Sequence, residues 1–113
     1  MTQVVPYPYA DAPDLVKRYR AALNLLDASA NPGFISLEGY LVGRLAIAAL
    51  ERIDGEPTRQ KFLDAVTKGE FDLGGMKLSY STTNNQGSSQ VFLTVIQSDG
   101  GFKPVDVLPR PAS

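Results

Sequence analysis

The stretch "FISLEGYLVGRLAIAALERI", residues 34–53, restricts the possible folds more than any other part of the chain. Apolar residues occupy most of its positions, and its strongly polar residues are few: Ser36, Glu38, Arg44, Glu51 and Arg52. A helix that is apolar around most of its circumference needs neighbours on more than one side. The stretch falls short of the roughly 20 apolar residues that a membrane span requires, and Arg44 interrupts it. We therefore expect this helix to lie inside a packed protein.

Small residues make the surface of this helix thin, namely Gly39, Gly43, Ala46, Ala48 and Ala49. Each glycine inside a helix costs about 1 kcal/mol relative to alanine. We expect close packing against a sheet or another helix to offset that cost. The start of the helix is predicted at Ser36, a suitable N-cap, with Glu38 in the first turn near the positive end of the helix dipole.

Two further helices are predicted, one before and one after this stretch. Asp11 as a cap and Pro13 in the first turn signal the start of the first helix, whose apolar stripe consists of Leu15, Val16, Tyr19, Ala22, Leu23 and Leu26. The loop "DASANPG" ends this helix, because proline and glycine interrupt helical structure. In the third helix Thr58 is the predicted N-cap, and the residues expected to point inward are Phe62, Leu63 and Val66.

In the second half of the chain the hydrophobic period changes from helical to twofold. "MKLSYS" predicts a half-buried strand, and after the polar loop "TTNNQGSS" the segment "VFLTVIQ" predicts a strand buried on both faces. "FKPVDVL" returns as a hairpin with Pro104 marking an edge strand, and "PRPAS" is a tail. With a short strand in "TQVVPY", the predicted fold is α/β, in the order strand–helix–helix–helix–strand–strand–strand with a C-terminal β-hairpin.

The composition fits one globular domain and removes several classes of function. The chain has 113 residues, 43% of them hydrophobic and 20% charged, and a net charge of −1. Its basic residues are dispersed, so nucleic acid is not expected as a partner. It has no cysteine and no histidine, which excludes disulfides, thiolate or imidazole metal sites and imidazole-based triads. We expect no metal and no cofactor, and the first residues, "MTQVVPYPYADAP", carry no signal-peptide pattern.

Catalysis without histidine or cysteine would have to use other groups. The candidates are the carboxylates of Glu70 and Asp72, and Lys77 with Ser79 on one face of a strand. A solvated loop and a solvent-facing strand account for both pairs. The loop "TTNNQGSS" lacks the lysine and the following helix of a phosphate-binding loop. We therefore expect that the chain is not an enzyme, and hydrolysis is the less favoured alternative.

Four segments, taken in order, resemble one family of proteins. They are "VVPYPYADAPDLVKRYRAAL", "PGFISLEGYLVGRLAIAALER", "TRQKFLDAVTKGEFDLGGMKLSYSTTNNQGSSQVFLTVIQ" and "DGGFKPV". Together they are similar to the C-terminal part of the periplasmic substrate-binding proteins of ABC transporters, of the branched-chain amino-acid (Leu/Ile/Val) receptor type. The resemblance extends from Gln3 to Val105. It implies a partial type I periplasmic-binding-protein fold.

In that family two α/β lobes close around a small solute, and the closed receptor docks on a membrane permease. The resemblance implies that residues 1–113 are a single C-terminal fragment of such a receptor. Residues 9–70 would form the helical part of the first lobe, and residues 75–108 a crossover strand and the terminal hairpin of the second. It also implies a periplasmic or extracellular location, and an amino acid or similar small organic solute as ligand. The fragment is not expected to bind this ligand alone.

The resemblance places a ligand contact at Phe34, because the family carries an aromatic residue before this helix that packs against the ligand side chain. Ser36 and Glu38 lie close by and are the further ligand-binding candidates, and no catalytic residue is implied. The alternative for Phe34 is a structural role as a hydrophobic staple at the helix start. For Tyr40 a position in the core is favoured.

If the neighbours of the apolar helix lie outside this sequence, apolar surface stays exposed on the chain. We then expect the isolated chain to form homo-oligomers, with the terminal hairpin or the first strand swapped between copies. A small self-associating α/β interaction domain without a ligand is therefore the alternative to a receptor component.

Overall fold

In the computed structural model, which describes residues 1–107, three helices and five strands follow in the order β1, α1, α2, α3, β2, β3, β4, β5. The helices are α1 (Asp14–Leu26), α2 (Phe34–Glu51) and α3 (Arg59–Thr67). The strands are β1 (Thr2–Gln3), β2 (Glu70–Asp72), β3 (Lys77–Ser79), β4 (Phe92–Ile96) and β5 (Phe102–Val105). The predicted α/β class is confirmed, and the structure adds β2, for which the sequence predicted a loop. The predicted tail, residues 109–113, and residue 108 of the predicted second-lobe range lie outside the described residues.

The strands form two small antiparallel sheets. β2 pairs with β3, and β4 lies between β1 and β5. Thr94 in β4 exchanges two backbone hydrogen bonds of 2.8 Å with Met1, and on its other side it lies opposite Pro104. Pro104 therefore occupies a position of the edge strand where no ladder hydrogen bond is made, so its missing N–H costs nothing there. The predicted hairpin and its edge strand are confirmed.

The turn between β2 and β3 holds the start of α1. Gly74 and Gly75 both have a φ of +98°, a backbone conformation that favours glycine. A Cβ atom on Gly75 would lie 2.5 Å from the Cβ of Pro13. The carbonyl of Gly74 accepts a 3.0 Å hydrogen bond from the amide of Leu15 in the first turn of α1. The N-cap predicted at Asp11 is wrong, because this carbonyl provides an acceptor that a capping side chain would otherwise supply.

The hydrophobic core lies between α1, α2 and the β2–β3 hairpin. Its buried residues are Val5, Leu15, Val16, Tyr19, Leu37, Leu41, Ala49, Phe71, Leu73 and Met76. Most of the predicted stripe of α1 is buried or half-buried, but Ala22 is exposed and Leu26 is 87% exposed. On α3, Leu63 is exposed and Ala65 is buried. The inward orientation predicted for Leu63 is therefore wrong within the described part of the chain, and the stripe predicted for α1 is not covered at Ala22 and Leu26.

The described chain is more extended than a compact domain of its length. Its radius of gyration is 16.7 Å and its extents are 58 × 37 × 19 Å, whereas a compact domain of this length has a radius of gyration of about 13 Å.

The helix α2 is covered on one side, since Leu37 and Ala49 are 0% exposed whereas Ile35 and Val42 are 87% and 63% exposed. Within residues 1–107, no helix combines the length and the apolar character needed to cross a bilayer.

Candidate functional site

Aromatic side chains from three separate segments meet at the start of α2. The ring of Phe34 contacts the ring of Phe102 in β5 edge to face, with 5.4 Å between centroids and an interplanar angle of 89°. Tyr7, in the segment after β1, lies 6.4 Å from Phe34 and 5.7 Å from Tyr9. Aromatic rings attract each other at these separations. This aromatic cluster (Tyr7, Tyr9, Phe34 and Phe102) therefore joins α2 to the segment before α1 and to the terminal hairpin.

A cavity of about 170 Å³ lies within the aromatic cluster. The residues that line it are Tyr7, Pro8, Tyr9, Pro32, Gly33, Phe34, Gly101 and Phe102. None of these side chains carries a charge. Two backbone groups of the wall already have partners: the carbonyl of Pro8 accepts from the Arg20 guanidinium at 3.2 Å, and the N–H of Gly33 donates to the Tyr19 hydroxyl at 3.0 Å. The wall therefore offers a ligand mainly apolar and aromatic surface.

The buried side chain of Tyr19 positions the start of α2. Its hydroxyl accepts a hydrogen bond from the N–H of Gly33 and donates one to the Ser36 Oγ, both at 3.0 Å. The N-cap of α2 is Gly33, which has no side chain that could accept from the first turn of the helix, and its own N–H is bound by a residue of α1. The N-cap predicted at Ser36 is wrong, since α2 already begins at Phe34. Tyr19 thus holds in place the backbone that carries Phe34.

The three residues predicted to bind ligand do not converge on one site. Phe34 lines the cavity, whereas Ser36 is exposed and its hydroxyl is engaged by Tyr19. Glu38 is exposed and borders a separate groove of about 300 Å³. Positions 34 and 38 lie one turn apart on the same side of a helix, and position 36 points away from both.

Sequence reasoning missed the residues that do join Phe34. Tyr7 and Tyr9 alternate with prolines in "PYPY", and Phe102 follows the glycines of "DGG". Proline and glycine mark turns, where the chain reverses and side chains from distant segments meet. An aromatic residue beside such a turn was therefore an available signal.

The residues considered for catalysis lie elsewhere. Glu70 and Lys77 form an exposed ion pair at 3.8 Å, and they border a polar depression of about 450 Å³ together with residues of the "TTNNQGSS" loop. The backbone N–H of Gly75, and that of the glycine before it, donate to the Asp72 carboxylate and lower its pKa. Asp72 is thus engaged in a turn. Among residues 1–107, no three histidine, cysteine, aspartate or glutamate side chains form a group that could hold a metal ion.

Solved structures of two bacterial proteins match this chain. One is a possible leucine/isoleucine/valine-binding protein from Rhodopirellula baltica, with 37% sequence identity and a TM-score of 0.84, and the match covers 92% of this chain and 28% of that one. The other is an extracellular ligand-binding receptor from Verminephrobacter eiseniae, with 27% identity and a TM-score of 0.80, covering 90% of this chain and 29% of the receptor. The chain therefore spans less than a third of the length of each of them. A scan against protein-family models and a search of curated proteins gave no match.

The matched structures agree with what the sequence segments imply. Both proteins are described as a binding protein or a receptor, and neither as an enzyme. The likeness extends over nine-tenths of this chain in fold and is accompanied by sequence identity. The predicted resemblance and the predicted partial fold are therefore confirmed: in sequence and in fold the chain resembles a segment of ligand-binding receptors such as this possible leucine/isoleucine/valine-binding protein.

Proposed function

We propose that the chain is the C-terminal part of a solute-binding receptor that closes two lobes around its ligand. Residues 9–70 contribute the helical part of the first lobe, and residues 75–108 a crossover strand and the terminal hairpin of the second. The matched structures support this proposal, since they are a binding protein and a receptor of more than three times the matched length. Binding energy then shifts the receptor from an open to a closed state, without covalent chemistry.

The observation that carries this proposal is the cavity inside the aromatic cluster. Its walls combine Tyr7 after β1, Phe34 from the proposed first lobe and Phe102 from the proposed second lobe, as expected of a site that closes between lobes. A dry apolar cavity of about 150 Å³ is large enough to hold benzene, so a cavity of about 170 Å³ suits an apolar side chain. In this proposal Phe34 contacts the side chain of the solute. Ser36 does not contact the solute but accepts the hydrogen bond from Tyr19, and Glu38 lies outside the cavity.

The ligand is then an amino acid or a similar small organic solute. The groups that bind its charged ends belong to parts of the receptor outside residues 1–107, because none of the described residues that line the cavity carries a charged side chain. The complete receptor works outside the cytoplasm, as the matched extracellular receptor does, and when closed it docks on the permease of an ABC transporter.

The chain by itself forms homo-oligomers by exchanging a strand or the hairpin, and light scattering at low concentration tests this: a stable monomer would contradict it.

A chimaeric receptor tests the binding function. In the Rhodopirellula baltica protein, the segment that matches this chain is replaced by this chain, and the purified chimaera is titrated with aliphatic, aromatic, amide and charged amino acids by calorimetry. We expect an apolar amino acid to bind. Phe34→Ala should weaken that binding about tenfold or more, because the ring buries apolar surface on the ligand.

Phe62→Ala is the matched control, since Phe62 is half-buried on α3 and does not line the cavity. It should lower stability but leave affinity unchanged. A folded chimaera that binds no member of the panel would contradict the proposed function. Equal affinity of the Phe34→Ala variant and the parent would contradict the role of Phe34.

A further inference from the structure

One long side of α2 is apolar and uncovered. Its residues follow helical spacing and form what we call the α2 outer face: Ile35, Gly39, Val42, Gly43 and Leu50 are exposed, and Ala46 between them is half-buried. Ile35 is 87% exposed, Val42 63% and Leu50 48%. Large apolar side chains that share one helix face ordinarily pack against a neighbouring element. The α2 outer face therefore lacks, within residues 1–107, the neighbour that its composition requires.

The two glycines of this face have open space in front of them. A Cβ atom built on Gly39 or on Gly43 meets no other atom within 4 Å. Glycine weakens a helix, and within the described chain no neighbouring atom lies close enough to require so small a residue at these two positions. A partner backbone that packs closely against α2 would require glycine here, because only glycine leaves room for such an approach.

The outer face continues into an apolar groove. This groove, of about 300 Å³, lies between α2, the segment after β1, and β3, and Val42 belongs to both surfaces. Its other apolar walls include Val4, Leu45 and Leu78. Val4 is 55% exposed. Together the face and the groove form one apolar surface that reaches from α2 to the strands.

The size of the matched proteins identifies the occupant. This chain superposes on them over 92% and 90% of its length but represents only 28% and 29% of theirs. The same segment is thus found in proteins in which most of the polypeptide lies outside it. We propose that the α2 outer face and its groove are a docking surface for the remaining portion of a receptor of this type, and that they bind that portion even when it is a separate polypeptide. This inference rests on the proposed function and names the partner that completes the receptor.

A split receptor tests the proposal. The Rhodopirellula baltica protein lacking the segment matched by this chain is co-expressed with the tagged 113-residue chain. We expect the two polypeptides to purify together, and sedimentation to give a complex with one copy of each. Gly39→Leu combined with Gly43→Leu should weaken the complex at least tenfold, because the added side chains fill the space that the partner backbone needs.

The same double variant separates docking from folding. Because both positions are open in the chain alone, the melting temperature of the isolated chain should be unchanged or higher in the variant. Ala21→Leu is the matched control, since Ala21 is exposed on α1, and it should leave the complex unaffected. The proposal is overturned if the partner does not purify with the chain, if the double variant binds it equally well, or if the chain pairs only with itself. A complex that assembles but binds no solute would overturn the proposed function and leave the docking surface standing.

Discussion

Removing the hydroxyl of Tyr19 tests whether α2 depends on α1 for its start. That hydroxyl accepts from the N–H of Gly33 and donates to the Ser36 Oγ, both at 3.0 Å. The ring itself is 2% exposed, and it stays packed in a Tyr19→Phe variant. The substitution therefore removes these two hydrogen bonds and a longer contact of 3.4 Å from the hydroxyl to the Gly33 carbonyl, and the N–H of Gly33 loses its acceptor.

The magnitude follows from the surroundings of the lost bond. Loss of an N-cap side chain costs about 0.5–2 kcal/mol, and an unpaired buried donor costs about 1–3 kcal/mol. Both ranges describe the same bond, so they are not added. Gly33 is half-buried and Ser36 is exposed, so water replaces part of what is lost. We expect the free energy of unfolding to fall by about 1–1.5 kcal/mol.

Urea unfolding followed by circular dichroism measures this loss. The midpoint should fall while the m value stays constant, because the surface exposed on unfolding does not change. Tyr40→Phe is the matched control: its ring lies 5.7 Å from that of Tyr19, and its hydroxyl shows no hydrogen bond within residues 1–107. Equal losses in the two variants would refute the capping role of Tyr19.

Three further predictions concern the rest of the fold. Gly75→Ala, which places a Cβ atom 2.5 Å from Pro13 at a φ of +98°, should cost about 2–5 kcal/mol. Gly69→Ala is the control, because this glycine has a φ of +80° but open space around it, and the substitution should cost about 1–2 kcal/mol. Thermal unfolding compares the two variants, and similar losses would rule out a contribution from the contact with Pro13. The N–H of Gly75 holds the pKa of the Asp72 carboxyl below its ordinary 3.8. The ionised carboxylate therefore contributes stability that is present above that value and is lost as the pH falls through the lowered pKa. Asp72→Asn should therefore lose less stability in acid titrations, and an unchanged acid loss would contradict this assignment. Arg52→Lys should lower the free energy of unfolding by about 1 kcal/mol in urea unfolding. The reason is that the Arg52 guanidinium lies 3.6 Å from the centroid of the Phe71 ring in β2 and also donates to two backbone carbonyls. A variant as stable as the wild type would show that these contacts contribute nothing.

The sequence predicted those features whose cause is local. Thr58 was predicted as the N-cap of α3, and its hydroxyl accepts from the N–H of Lys61 at 3.2 Å, three residues away. The other two predicted caps failed because the acceptor comes from a distant segment. The amide of Leu15 is satisfied by a carbonyl in the β2–β3 turn, and the start of α2 by the hydroxyl of Tyr19. No local pattern reveals either partner.

The candidate site shows the same limit. Phe34 was found through the resemblance of its segment, which is a property of neighbouring residues. Tyr7 and Phe102 are 27 and 68 positions away from it in the chain, and only the fold brings their rings within 6.4 and 5.4 Å. Likewise, Leu26 was assigned to an apolar stripe and Leu63 was predicted to point inward. Helical periodicity shows which face of a helix is apolar, but not whether a neighbour covers it.

The position of Pro104 has a consequence for edge-to-edge association of this protein. In β5 the backbone groups of Lys103 and Val105 face β4, so those of Phe102 and Pro104 face outward, where an incoming strand would have to bind. Of these two residues only Phe102 has a backbone N–H, so a strand added at this edge would find half of the expected hydrogen-bond donors missing. Pairing of a strand from another molecule is therefore disfavoured along this edge. Exchange of strands between molecules is then favoured at the opposite edge of the sheet, where β1 pairs with β4 through two residues.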